Sequence, residues 1–157
     1  MNYTKALQNP IFKIISQASQ DLNVDSYVIG GFVRDLILGR DFKKDIDVVA
    51  VGSGIELALA VSKLLPNKPK VQVFKTYGTA MLRYEDTEIE FVGARKESYN
   101  HESRNPVVEN GTLEDDQNRR DFTINALALS LNADNFGDLL DPFNGISDLE
   151  NKIIKTP

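Results

Sequence analysis

The sequence predicts one α/β domain of the mixed, α+β kind, a small β-sheet flanked by helices. Strand-like runs rich in β-branched residues recur, as in SYVI (26–29), DIDVVA (45–50) and TEIEFV (87–92). Segments with helical periodicity alternate with them, and Gly, Pro, Asn and Asp mark the joins. The 157 residues make about one domain. With 41% hydrophobic and 26% charged residues, the chain has the composition of a protein that folds rather than one that stays disordered.

Leu7, Ile11, Ile14, Ile15, Ala18 and Leu22 recur at helical spacing, so an amphipathic helix beginning near Pro10 is expected first. SYVIGG reads as a short buried strand ending at Gly30 and Gly31, and FVRDLIL as a helix that Gly39 caps. DIDVVAV is a second strand. Gly52 to Gly54 then lead into a helix, IELALAVSKLL, closed by Pro66. KVQVF, TAMLRYE and TEIEFV form a three-stranded meander with a turn at EDTE. From Gly93 to Gly111 the chain is too polar and punctuated for a core element, which predicts a mobile loop. DFTINALALSL predicts a helix. A short extended piece, a DPFNG turn and a last helix capped by Ser147 or Asn144 complete the chain.

The net charge of −5, from 18 basic and 23 acidic residues, argues against a domain whose whole surface grips nucleic acid, although local basic clusters remain compatible with such contacts. Without cysteine there is no disulfide framework or thiolate metal site, and the single histidine, His101, excludes a His-rich zinc site. His101 itself reads as solvated. The N-terminus lacks a signal-peptide pattern, and no segment approaches the roughly 20 apolar residues that span a bilayer. A cytoplasmic protein with no membrane partner is the expectation. Nothing in the sequence sets an oligomeric state.

Asp45 and Asp47 lie two apart on a predicted strand, so their side chains share one face. Paired carboxylates suit hard divalent cations such as Mg²⁺, which leaves its other positions to water and substrate phosphates. Phosphoryl or nucleotidyl transfer is the reaction class this implies. Glu88 and Glu90, again on one face, both qualify as a third carboxylate for a two-metal site. On spacing alone, Asp-x-Asp is equally the wet face of an edge strand. Gly30 and Gly31 let backbone approach a phosphate at a helix start, and Arg34 sits one turn further on; a lone Gly-Gly is also an ordinary turn. Gly30 and Asp45 are only fifteen positions apart, which allows their strands to be sheet neighbours. In the predicted DFTINALALSL helix, Asp121 and Asn125 share one face, opposite Ile124, Leu127, Ala128 and Leu131, with Arg119 and Arg120 just ahead to meet triphosphate oxygens. Asp121 is equally an N-cap among solvated charges. Gly-Ser-Gly at 52–54 is followed by Leu57 where a dinucleotide fingerprint needs a third glycine, and no phosphate-binding P-loop occurs.

Taken together and in order, GGFVRDLILGR, DIDVV, EFVGARKESY, TLEDDQNRRDFTINALAL and LLDPFNGISDLENKIIKTP resemble the head domain of the class II tRNA nucleotidyltransferases, the CCA-adding enzymes, and of the related bacterial poly(A) polymerases. The resemblance runs from about Tyr27 to Pro157. It implies a nucleotidyltransferase palm fold, a small mixed sheet with helices on one side. It also implies that Asp45 and Asp47 ligate Mg²⁺, that Glu90 is the third acidic position, and that Gly30, Gly31, Arg34 and Arg95 bind the incoming triphosphate. Arg120, Asp121 and Asn125 would contact phosphate and ribose. The implied reaction joins CMP or AMP, from CTP or ATP, to the 3′ end of tRNA without a template, by attack of a magnesium-activated 3′-hydroxyl on the α-phosphorus. Residues 1–157 are then a single head domain, with the helical neck, body and tail of these enzymes, and the neck's base-reading Glu-Asp-x-x-Arg motif, outside it. Base choice and most of the RNA grip would lie there. The alternatives are a poly(A) polymerase head and a nucleotide- or metal-binding module without turnover.

Overall fold

The computed structural model describes residues 7–39, 45–99, 106–118, 122–155 and 157. The first helix, α1 (Pro10–Leu22), opens with Pro10 at its first position, and the Asn9 side chain accepts from Ile11 N at 3.1 Å. Its apolar stripe buries Ile11, Phe12, Ile15 and Ala18. It stops where Asn23 turns left-handed, at φ 55°. Strand β1 (Ser26–Ile29) is buried throughout and runs into α2 (Gly31–Ile37). Strand β2 (Asp45–Ala50) and helix α3 (Gly54–Leu64) follow, then β3 (Gln72–Phe74), β4 (Thr79–Tyr84) and β5 (Thr87–Gly93). These elements fall where the sequence places them.

Two segments depart from expectation. Within the stretch expected to be a loop, β6 (Arg95–Tyr99) and β7 (Pro106–Asn110) pair antiparallel as a separate two-stranded sheet. Backbone pairing between nearby strands needs no buried apolar face of the kind sequence patterning detects, so a polar segment can form it. His101 lies outside the described residues. The described part of DFTINALALSL, from Phe122 on, is not an α-helix either. A short helix, α4 (Leu113–Asn118), precedes it, Thr123–Asn125 form one 3₁₀ turn, and Ala128–Ser130 form β8. Leu127 and Leu129 join the core on one face of the sheet and Ala128 the cluster on the other. A short run apolar on both faces has no period that separates buried strand from buried helix. Pairing with β1 decides it, in the register Tyr27↔Ser130 and Ile29↔Ala128.

β9 (Leu139–Leu140) and α5 (Gly145–Glu150) complete the chain. Asn144 holds the N-cap position of α5 but is left-handed, at φ 55°, and caps nothing with its side chain. Ser147 lies within the helix. The cap comes instead from Asp141, whose carboxylate accepts from Gly145 N at 2.6 Å and Ile146 N at 3.0 Å.

Seven strands make one mixed sheet in the order β3-β4-β5-β2-β1-β8-β9. Only β2 and β5 pair in parallel among its described strands. One face carries Val28, Ile46, Val48, Ala50, Ala80, Leu82, Ile89 and Phe91, packed with buried residues of α1, α2 and α3. The main core therefore lies on the helix side. Ser19 in α1 and Ser26 in β1 share a 2.6 Å hydrogen bond that ties helix to sheet. The opposite face carries a smaller cluster of Tyr27, Ile29, Val49, Ala94, Leu113 and Ala128. Among the described residues no helix is long and apolar enough to cross a membrane.

The Gly-Ser-Gly run earns its place by packing. A Cβ on Gly54 would lie 2.6 Å from the Val92 carbonyl carbon, and one on Gly93 would lie 2.6 Å from Gly52 O. No side chain fits between the start of α3 and the end of β5. Gly54→Ala is expected to destabilise the fold by about 1–3 kcal/mol through overpacking, measured as a lower urea midpoint at unchanged slope. Burial, and then the Asp25 carboxylate, push the Tyr27 phenol upward. The folded chain thus keeps that proton at a pH where the unfolded chain releases it. Stability from this group is complete below about pH 10 and declines as pH rises beyond it. Denaturation midpoints across the alkaline range should fall less steeply in Tyr27→Phe than in the unaltered chain.

Candidate active site

Strand β2 sorts its side chains by face. Ile46, Val48 and Ala50 enter the helix-side core, which leaves Asp45, Asp47 and Val49 on the other side, Asp45 exposed and Asp47 half-buried. Parallel pairing places Asp45 beside Glu88 and Asp47 beside Glu90. Directly paired residues share a face, so four carboxylates stand together there. Strand β4 then separates the glutamates. Arg83, opposite Glu88, brings Nη2 to 3.2 Å of Glu88 Oε1, whereas Glu90 stands opposite Met81. Glu90 is thus the glutamate in register with Asp47. Among the described residues, however, no three Asp, Glu, His or Cys side chains gather around one point as metal ligands. The structure supports a carboxylate pair with a neighbouring glutamate rather than an assembled triad.

Antiparallel pairing of β1 with β2 sets Ile29 opposite Asp47, so the two strands are neighbours. The next residue, Gly30, adopts φ 85°, ψ −144°, a conformation essentially confined to glycine. A Cβ there would sit 3.7 Å from Asp47 Oδ2 and 4.0 Å from Asn125 O. The glycine turn therefore lies against the carboxylate. Its N–H donates to Leu127 O at 3.2 Å and its carbonyl accepts from Arg34 N at 3.1 Å. The Gly30 amide is thus taken up by the fold, and what this residue contributes is close backbone approach.

Arg34, one turn into α2, folds back over this point. A Cβ on Gly31 would lie 3.4 Å from Arg34 Nη2. Nη1 donates to Asn125 Oδ1 at 2.8 Å and Nε to Asp35 Oδ1 at 3.2 Å. The Arg34 side chain is 23% exposed and that of Asp35 3%, so the guanidinium is oriented by a buried carboxylate with one edge toward solvent. Such charge-assisted bonds fix a planar donor fork in advance of any ligand.

Asn125 reaches the site from a 3₁₀ turn that neighbouring elements hold on several sides. Gln117, buried in α4, donates to Ala126 O at 2.8 Å and Leu140 O at 3.2 Å. Thr123 donates from its hydroxyl to Asp148 at 2.6 Å and from its N–H to Lys155 O at 2.8 Å. Gly145 packs so closely that a Cβ there would collide with Thr123 O. Asn125 is therefore fixed by α4, α5 and the residues beyond, although the helix expected to carry it is absent.

The structure brings together Gly30, Gly31, Arg34, Asp47 and Asn125, with Asp45 and Glu90 alongside. Arg95 begins β6, just past Ala94, whose N–H donates to Ala50 O at 2.8 Å at the far end of β2; its side chain is not described. Arg119, Arg120 and Asp121 lie outside the described residues. Sequence reading missed Asp35 and Gln117. The Arg-Asp pair after Gly-Gly is a visible signal for Asp35, while Gln117 has none, being a polar residue in an acidic run. A cleft of about 720 Å³ on the same sheet face, lined by Asp25, Tyr27, Leu113, Gln117, Leu140 and Asp141 among others, shares only Gln117 with these site residues.

The fold is similar to that of solved tRNA-processing nucleotidyltransferases. A CCA-adding enzyme solved in complex with ATP superposes with a TM-score of 0.82 and 33% identity over 99% of this chain and 36% of its own. A tRNA nucleotidyltransferase complexed with a primer tRNA and an incoming ATP analog gives 0.77 and 36% over 90% of this chain and 38% of its own. The A-adding tRNA nucleotidyltransferase of Aquifex aeolicus (strain VF5) is 41% identical over 130 residues, 83% of this chain and 15% of that relative. Residues 26–155 match the model of the poly A polymerase head domain, and the chain belongs to that family. It spans well under half the length of these relatives.

Asn125→Ala should free the Arg34 guanidinium from its 2.8 Å partner and weaken binding of MgATP by about tenfold, the worth of a hydrogen bond to a charged group. Calorimetric titration reads the loss, and an unchanged thermal midpoint separates it from misfolding.

Proposed function

We propose that this chain is the catalytic head of a template-independent RNA nucleotidyltransferase that joins AMP or CMP, from ATP or CTP, to the 3′ end of tRNA. The observation that carries the reading is the seating of Asp47, the Gly30 turn and the Asn125-held Arg34 around one point. A triphosphate ester needs both kinds of group at once, a cation for its oxygens and carboxylates for the counter-ion it brings.

Asp45 and Asp47 fit Mg²⁺: both are oxygen donors on one face of a strand, and partial exposure leaves room for water and substrate oxygens. When bound, the ion would supply charge neutralisation and a more acidic 3′-hydroxyl. In the reaction the 3′-oxygen of the RNA bonds to the α-phosphorus, the bond to the bridging oxygen breaks, and pyrophosphate leaves. Arg34 would hold phosphate oxygens and keep the triphosphate in line. Gly30 and Gly31 would allow close approach because no side chain intervenes. Asn125 would orient Arg34 and offer its remaining polar capacity to the ribose, with Arg95, Arg119, Arg120 and Asp121 as the further nucleotide contacts. Glu90 would raise the negative potential beside Asp47 and so strengthen the hold on a cation.

Calorimetry of the chain with MgATP and with MgCTP, beside the double variant Asp45→Asn, Asp47→Asn, tests the reading. Magnesium-dependent binding of both nucleotides, reduced at least tenfold in the variant, is expected. Equal binding by both proteins, or none by the unaltered chain, would sink it.

A further inference from the structure

We propose that the open edge of the sheet, β3 with the turn after it, docks the single-stranded 3′ segment of the RNA, with Phe74 as stacking platform and Lys70 and Lys75 as phosphate contacts. The proposal rests on the reading of the site as one that extends RNA, and adds where the strand lies on its way in.

Residues 72–78 are exposed without a break although they are ordered as strand and 3₁₀ turn. They include Val73, Phe74 and Tyr77, at 38%, 45% and 67% exposure. Large side chains left in water on a defined scaffold mark a binding surface more often than a scattered apolar residue does. The charge there is opposite to that of the whole. From Leu57 to Tyr84 the chain carries Lys63, Lys68, Lys70, Lys75 and Arg83 and no Asp or Glu, in a protein of net charge −5. Cations interleaved with exposed aromatics form the surface that single-stranded nucleic acid prefers, since bases stack and phosphates pair.

Register points this strip toward the site. Phe74 pairs with Thr79, Thr79 with Val92 and Val92 with Val49; one row along, Gln72 pairs with Met81, Met81 with Glu90 and Glu90 with Asp47. Paired residues share a face, so Phe74 and Gln72 lie on the face of the carboxylates. Three strand spacings separate β3 from β2, about 14 Å, or about four stacked nucleotides at the 3.4 Å spacing of one strand. Between them, on β5, lie Glu88, paired with Arg83, and Glu90, and beyond them on β2 Asp45 and Asp47, carboxylates that repel phosphates. The grip on the strand must come from beyond the acidic row, and the basic edge is there. A second protein strand is the poorer occupant, because β3 has only three residues and is flanked by Lys70 and Lys75, features that blunt an edge against pairing.

The test is fluorescence anisotropy of a short labelled single-stranded RNA with the chain, its Phe74→Ala variant and its Lys70→Ala, Lys75→Ala variant, each also titrated with MgATP by calorimetry. Phe74→Ala should weaken RNA binding by about fivefold to a hundredfold, the usual loss for one stacking side chain. The double variant should make the log–log salt dependence shallower by about 1.4, two phosphate contacts on a single strand. MgATP binding should be unchanged in both. If RNA binds but is indifferent to both variants, or does not bind while MgATP does, the docking strip is overturned and the nucleotide site stands. If MgATP fails to bind the unaltered chain, it is the reading of the site that falls. A dimer in sedimentation that Phe74→Ala dissolves would assign the edge to a second copy of the chain and overturn the RNA proposal.

Discussion

Strand β2 is shared between two chemical environments, and its register decides everything placed on it. Ile46, Val48 and Ala50 bury against α1, α2 and α3, so Asp45 and Asp47 have to face away from them. A slip of one residue would drive both carboxylates into an apolar core and bring the aliphatic side chains into water, which is prohibitive on both counts. Both partner strands read from the same register: β5 presents Glu90, and β1 delivers the Gly30 turn. The burial that stabilises the fold is therefore the same interaction that aligns the site.

Around this frame, charge is handled by partners rather than by exposure alone. Arg34 is half-buried and held by Asn125 and Asp35; Glu88 is held by Arg83. The cation near the glycine turn is pre-positioned, so little side-chain entropy remains to be lost when an anion arrives. Asn125 depends in turn on Gln117, Thr123 and Gly145, which come from three different segments. Damage to α4 or α5 would be felt at Arg34 without touching any residue of the site.

The charge pattern has a direction. Carboxylates cluster in the middle of one sheet face, while lysines and exposed aromatics lie along its β3 edge. The low net charge conceals this division, because composition averages over faces that the sheet separates.

Sequence alone determined the elements whose period is unambiguous. α1, α2, α3 and β1 to β5 follow from stripes, β-branched runs and glycine punctuation, since one buried face imposes a period of 3.6 or 2 on the residues that supply it. It also determined that Asp45 and Asp47 share a face, and marked Gly30, Gly31 and Arg34. Tertiary structure decided the rest. Ala128–Ser130 form a strand because the edge of β1 was open to pair, and Arg95–Tyr99 and Pro106–Asn110 form strands because their backbone groups find each other. The choice of Glu90 over Glu88 beside Asp47, the meeting of Arg34 with Asn125 across 91 positions, and the use of Gly-Ser-Gly for packing are likewise matters of register and contact. None of these has a local period, because each depends on which distant segment fills the space beside it.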